Sequence, residues 1–354
     1  MSDVSIIAAE GWKEGAPSSE MPLLLSEESG RLCLLDSNLS MQHDFGSVGP
    51  VDCPIAYDAT RRLAFRYVCE ASFQYEDFSQ LRAFSIDRRE SFSVKDLPIN
   101  QWALWFLEWI AASGSELGQL LGLLATDRTN EDQIVIEHRL FTCRPGDDLL
   151  RLRPLPYDAY KPLAFSQRRR ELVFAGADGI HLLSLRGERK LSLPKDASTS
   201  GQGAAFAPDG SGRVIVGGDG LHLWDFEQNT CARLTRNGRY PVWTPDGEGV
   251  WYRESSGDLF YYDMSKDEVR EVLSLDNQKH PEFWYARPVS LSGSGRFLAT
   301  SLTRKVLRGV SRKGSATGRP EREYLYERQI CVLDLEKRTY WGREGFANQL
   351  RWVE

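Results

Sequence analysis

The 354-residue sequence has few cysteines, few histidines, no basic excess, no long apolar run and no linear catalytic motif. Each shortage narrows the function. The six cysteines (Cys33, Cys53, Cys69, Cys143, Cys231 and Cys331) are scattered, with no C-x-x-C pair. So low a density in so long a chain argues against a disulfide framework and for a reducing compartment. The opening residues, MSDVSIIAAEGWKEG, lack the basic start and apolar stretch of a signal peptide. The longest apolar stretch, WALWFLEWIAA at 102–112, is interrupted by Glu108. It falls short of the ~18–20 residues that cross a bilayer. A soluble, cytoplasmic chain with no membrane partner is the expectation.

Lys and Arg number 44 against 50 Asp and Glu, a formal net charge of −6. With no global basic field, nucleic acid is disfavoured as the main ligand. There is no H-E-x-x-H, P-loop or EF-hand loop. The nearest string to a nucleophile elbow, SGSELG at 113–118, has Ser113 where the first glycine belongs. Gly201–Gln202–Gly203 begins like a dinucleotide fingerprint, but the pattern fails at Phe206. DRTNED (127–132) offers oxygen ligands without calcium-loop spacing. Of five histidines, His181 and His222 stand 41 residues apart at equivalent repeat positions. Two histidines alone are not the four ligands of a structural zinc, and packing between repeats accounts for them. No catalytic, cofactor-binding or metal residue is assigned, and no cofactor is expected.

What the chain does have is a repeat. A six-residue pattern runs apolar, any, apolar, large apolar, Asp/Ser/Thr, then usually apolar. The clearest copies are IHLLSL (180–185), LHLWDF (221–226), LFYYDM (259–264) and ICVLDL (330–335). Weaker copies are LCLLDS (32–37), LRAFSI (81–86) and HRLFTC (138–143). The seven starts are separated by 49, 57, 42, 41, 38 and 71 residues. Four-stranded propeller blades repeat at ~40–50 residues, so the longer spacings imply insertions. Before several hexamers stands a strand, a tight turn and a second strand, as in AAFAPDGSGRVIVGG (204–218) and PVWTPDGEGVWYRE (241–254). Pro-Asp-Gly supplies a fixed φ, a capping side chain and a residue free to take φ > 0.

The fold expected is all-β: a seven-bladed β-propeller of four-stranded antiparallel blades. It occupies 1–354 as one domain, with approximate blades at 21–46 plus 346–354, 52–100, 101–156, 160–196, 203–236, 239–275 and 285–343. QLRWVE (349–354) matches the inner-strand pattern, with Trp352 in the place of Trp243. It is expected to pair into blade one beside 21–27 and close the ring. The recurring Asp36, Asp225, Asp263 and Asp334 stand near strand ends, where a short carboxylate bonds turn amides.

The units AAFAPDG…LHLWDF and PVWTPDG…LFYYDM resemble the repeats of TolB-like and WD-repeat-like propellers. The resemblance is strong over 160–275 and 285–335 and weak over 50–155. Trp224–Asp225 is the one W-D dipeptide, and the absence of G-H favours the TolB-like side. The resemblance implies a fold and a tendency to bind peptides or proteins. It carries no catalytic residue.

Three departures from the repeat are the partner-binding candidates, because loops on a rigid scaffold are free to vary. Segment 101–124 holds Trp102, Trp105 and Trp109 at a spacing that suits either an amphipathic helix or a buried strand. Arg168, Arg169 and Arg170 occupy the turn that is Pro-Asp-Gly elsewhere. Segment 304–322 carries Arg304, Lys305, Arg308, Arg312 and Lys313 among seven cations and one acid, Glu321, and its composition reads as a mobile surface loop. The function expected is a non-catalytic scaffold that binds a protein through a rim or the central funnel, as a monomer or a subunit of a heterocomplex. One version is a cytoplasmic inhibitor, the immunity protein of a toxin. The alternatives are a hydrolase or lyase with its site in the funnel, and a docking subunit of a larger assembly.

Overall fold

The seven hexamers are the third strands of seven sheets. The computed structural model describes residues 6–28, 31–47, 55–69, 79–97, 101–102, 107–111, 118–127, 136–146, 151–155, 159–185, 188–193, 201–254, 258–275, 289–311, 321–345, 347 and 349–354. Each sheet is an antiparallel blade of four strands in radial order, and the seven form a propeller. Blade four shows the pattern: Ala159–Ser166, Glu171–Gly176, Gly179–Ser184 and Arg189–Ser192 pair in chain order.

Alternation along the strands explains how the ring is held. Successive strand residues face opposite sides of a sheet. In blade four, Leu172 and Phe174 pack on blade three, while Val173 and Ala175 pack on blade five. In blade one, Leu24 packs toward blade seven and Leu25 toward blade two. Seven apolar clusters result, each shared by two neighbouring blades. A run such as Leu32–Leu35 is therefore buried on both faces.

Blade one is completed by the far end of the chain. Gln349–Val353 pairs antiparallel with Leu23–Glu27, from Leu23↔Val353 to Glu27↔Gln349. The Trp352 indole Nε1–H donates to the Ser290 carbonyl on the inner strand of blade seven, at 3.0 Å. Trp243 makes the equivalent bond from blade six to the Ala205 carbonyl of blade five, at 2.9 Å. The equivalence expected of the two tryptophans is thus a shared bond to the preceding blade. The N-terminal segment adds a strap that the repeat did not signal. Ile6–Ala8 pairs with the outer strand of blade six, and Lys13–Glu14 with the outer strand of blade seven.

One turn recurs on a single rim. Asp58, Ser85, Ser166, Asp225, Asp263 and Asp334 each cap a turn with the side-chain oxygen. Four residues later the chain takes a positive φ of 51–57°, at Arg62, Arg89, Arg170, Asn229, Asp267 and Arg338. The repeated aspartates are thus turn caps.

Segment 304–322 departs from the loop expected. Phe297–Ser311 and Glu321–Asp334 are strands of 15 and 14 residues, the second and third of blade seven. Their pairing runs from Phe297↔Asp334 to Ser311↔Glu321, with a register shift between Leu307 and Gly309. Arg304, Lys305 and Arg308 are strand residues. The composition was read as loop because Gly309 and the close cations mask the cross-strand pairing with the apolar and acidic residues of 321–328. Arg312 and Lys313 lie outside the described residues.

Removing residues 346–354 exposes the inner edge of blade one and takes Leu350, Trp352 and Val353 out of the core. At ~1.5–3 kcal/mol per large apolar side chain, the loss is about 5–9 kcal/mol, comparable with a whole domain's stability. The truncated chain is expected to lose its cooperative melt by circular dichroism; a melt like that of the full chain would show that this strand does not close the ring.

Candidate functional site

A four-stranded meander places its first–second and third–fourth turns at one end and its second–third turn at the other. The arginine turn, 167–170, joins the first and second strands of blade four. The long hairpin of blade seven joins a second strand to a third. The two basic candidates therefore stand on opposite rims.

At the arginine turn the charges are committed to the neighbouring blade. Ser166 Oγ accepts the Arg169 amide at 3.2 Å, and Arg170 holds φ at 57°. Arg168 Nη1 donates to the Asp209 carbonyl on blade five at 2.8 Å, although its side chain stays exposed. Arg169 reaches farther. Its Nε donates to Glu171 at 2.9 Å, and its Nη1 to Glu227 at 3.1 Å and the Gly210 carbonyl at 3.3 Å. Its guanidinium also lies 4.8 Å from the centre of the Phe226 ring. Arg168 and Arg169 thus brace blade four against blade five.

The described parts of the tryptophan segment that pair are strand. Gln101–Trp102 and Leu107–Ile110 both pair with Gln119–Asp127 as a split inner strand of blade three. Trp109 is 4% exposed and stacks on Phe65 of blade two, with ring centres 5.2 Å apart. A β-carbon at Gly118 would lie 2.3 Å from Trp109 Cζ2, so glycine makes room for the ring. Trp109 is interface core, not an exposed docking residue. Of the helix and the buried strand that the spacing allowed, the strand is found at Leu107–Ile110, where Leu107 and Trp109 pack toward blade two and Ile110 toward blade four. Trp105 lies outside the described residues.

The inner strands of blades three and one bring opposite charges together. Glu108, on the inner strand of blade three, lies 3.9 Å from Arg351 on the inner strand of blade one. The pair spans two blades, with the inner strand of blade two, Ala56–Asp58, between them. Burial raises the pKa of Glu108, and Arg351 pulls it partly back. On the inner strand of blade four, burial lowers the pKa of Lys161. The one sequence signal was Glu108 breaking the apolar run at 102–112.

His181 and His222 are not brought together as ligands. His181 Nε2 meets Asp178 Oδ1 at 2.6 Å and its Nδ1 meets Ser192 Oγ at 2.9 Å. His222 lies 3.5 Å from Asp219 and 4.0 Å from Cys231. Each imidazole braces the Asp-Gly-x-His turn of its own blade. Among the described residues, no three His, Cys, Asp or Glu are grouped to hold a metal.

The blade-seven hairpin remains. Its outer neighbour, Thr339–Glu344, pairs only as far as Gln329, and its inner neighbour, Ser290–Leu291, pairs only with Leu298 and Ala299. Among the described residues no third strand pairs with 302–311 or 321–328. From Thr303 outward the two strands form a ribbon of nine residues on one side and eight on the other, roughly 26–30 Å long at ~3.3 Å per residue.

No protein-family model matches the chain, and no curated protein matches it.

Two substitutions test this geometry. Arg169→Ala leaves Glu171, 7% exposed, with Lys190 as its remaining ion-pair partner and unties Glu227. A loss of about 1–2 kcal/mol is expected in urea melts. An unchanged midpoint would return Arg169 to the pool of free surface charges. Asp263 accepts bonds from Ser265 and Lys266, which pull its pKa down to about 2. A depressed carboxylate stabilises the fold above its ordinary pKa of ~3.9 and ceases to do so as the pH falls from there toward 2. Between those limits the melting temperature of Asp263→Asn is expected to fall less steeply than that of the parent.

Proposed function

We propose that this chain is a non-catalytic, cytoplasmic protein-binding scaffold that engages its partner through the ribbon of blade seven. One observation carries the reading: a ring closed by Gln349–Val353 projects, among the described residues, one two-stranded arm beyond the blade that forms it. The arm is far longer than the second–third turn of blade four, where strands end at Gly176 and resume at Gly179. Nothing in blade packing requires the extra length. Rigid presentation lowers the ordering entropy that binding must overcome. An inhibitor of a toxin and a docking subunit of a larger assembly are both roles for such an arm.

A rival reading places a hydrolase or lyase site in the funnel. It is favoured by Glu108, Arg351 and Lys161, because a carboxyl raised and an amine lowered toward neutrality suit acid–base chemistry.

Replacing residues 304–327 with an Asn-Gly turn joins the paired Thr303 and Arg328 and removes the arm. The shortened chain is expected to melt like the parent, while a stoichiometric partner captured by the full chain from native lysate is lost. Retention of that partner by the shortened chain would rule out the arm as the docking element. A clean full-length bait would move the reading to the funnel, where Glu108→Gln becomes the next variant.

A further inference from the structure

Two arginines enclosed between blades differ in what answers their charge. Arg66, fully buried, faces the buried Glu27 at 3.8 Å. Arg253 is 1% exposed and ends the second strand of blade six, Gly249–Arg253, at the seam with blade seven. Its Nη1 donates to Thr300 Oγ1 at 2.6 Å and to the Ser301 carbonyl at 3.0 Å. Both acceptors are neutral. Among the described residues no ion pair neutralises this guanidinium, and Asp258 acts on it only at longer range. Burial lowers the pKa of Arg253 to about 10, which leaves it charged at neutral pH. Cys331, paired with Thr300, does not supply the missing charge, because burial raises its thiol to about 12.

A second idle donor stands on the same face. Arg253 Nε is buried without a hydrogen-bond partner, and so is Trp251 Nε1. Alternate residues of a strand share a face. Trp251 packs with Leu298 and Leu333 of blade seven, as Arg253 bonds to Thr300 beside them. The seam thus holds one unneutralised cation and two N–H groups with nothing to donate to. Each idle donor forfeits the hydrogen bond it made in water, and a bare cation in a seam of low dielectric is costlier still.

We propose that the seam between blades six and seven binds one small anion, a halide such as chloride, at Arg253 Nε. The inference goes beyond the scaffold reading and does not depend on it. A halide accepts N–H donors from any direction and brings a full negative charge, which a water molecule does not. The burial of Arg253 selects for size. A phosphate, a sulfate or a partner's carboxylate would need the two blades to part. An ion held there ties blade seven, with its long hairpin, to blade six.

The test compares melts of the full chain in sodium chloride, sodium bromide and sodium gluconate at matched ionic strength. The parent is expected to melt higher in either halide, by about 2 °C for each tenfold rise in free halide above the dissociation constant. Replacing buried charged groups by apolar ones of similar volume is often neutral or stabilising. Arg253→Met is therefore expected to fold and to lose the halide response. Arg270→Gln, on the outer strand of the same blade, is expected to keep it. Should Arg253→Met fail to fold, anomalous scattering from bromide-soaked crystals of the parent decides, with one bromide expected against Arg253 Nε. Equal halide responses in the parent and Arg253→Met, bromide confined to the surface, or a water molecule or a carboxylate of the chain itself in that position would each overturn the proposal.

Discussion

A blade with two apolar faces can satisfy neither alone, and the rest of this molecule follows from that constraint. Each sheet needs a neighbour on both sides, so the sheets must form a ring, and the ring must close. The seven shared clusters show the constraint met at every interface, including the one between blades seven and one. That interface depends on Gln349–Val353, whose Trp352 belongs to the same cluster as Phe297 and Trp341 of blade seven. Polar groups reinforce selected seams. Glu27 and Arg66, both fully buried, face each other at 3.8 Å between blades one and two. Arg253 of blade six donates to Thr300 and Ser301 of blade seven.

The repeat was legible because its physical cause is local. An apolar strand ending in Asp or Ser has to be followed by a capped turn, and Asp225, Asp263 and Asp334 do that capping. The closing strand was legible for the same reason, since Trp352 occupies the position that Trp243 occupies in an intact blade. Other features were hidden in pairings between distant residues. Ile6–Ala8 has no repeat character, and its place on blade six depends on an outer edge that is more than 260 residues away in the chain (Ile6↔Leu275). Arg169 read as a surface charge because its partners Glu171 and Glu227 sit on two different blades. The ribbon read as a loop because cations, a glycine and a bulge conceal strand pairing when one side is read without the other.

Function on such a ring is a matter of asymmetry. Blades four, five and six share one strand order. Three places break the regularity: the split inner strand of blade three, the ion pair across the channel, and the long ribbon of blade seven. The first is buried where Trp109 stacks on Phe65, and the second lies within the ring. Among the described residues, the ribbon extends a strand pair beyond the strands that flank it in its blade.

The pairing of Leu23–Glu27 with Gln349–Val353 also imposes an order in time. Chains emerge from the ribosome N-terminus first, and domains usually fold as they emerge. Blade one cannot do so, because its inner strand is synthesised more than 300 residues after the strand it pairs with (Glu27↔Gln349). The strap at Ile6–Glu14 must wait as well, since the edges it covers belong to blades six and seven. These strands therefore remain unsatisfied while the blades between them and their partners are made. Ring closure is the final folding event, and the unpaired edge of Leu23–Glu27 is the point at which the nascent chain most needs protection from its neighbours.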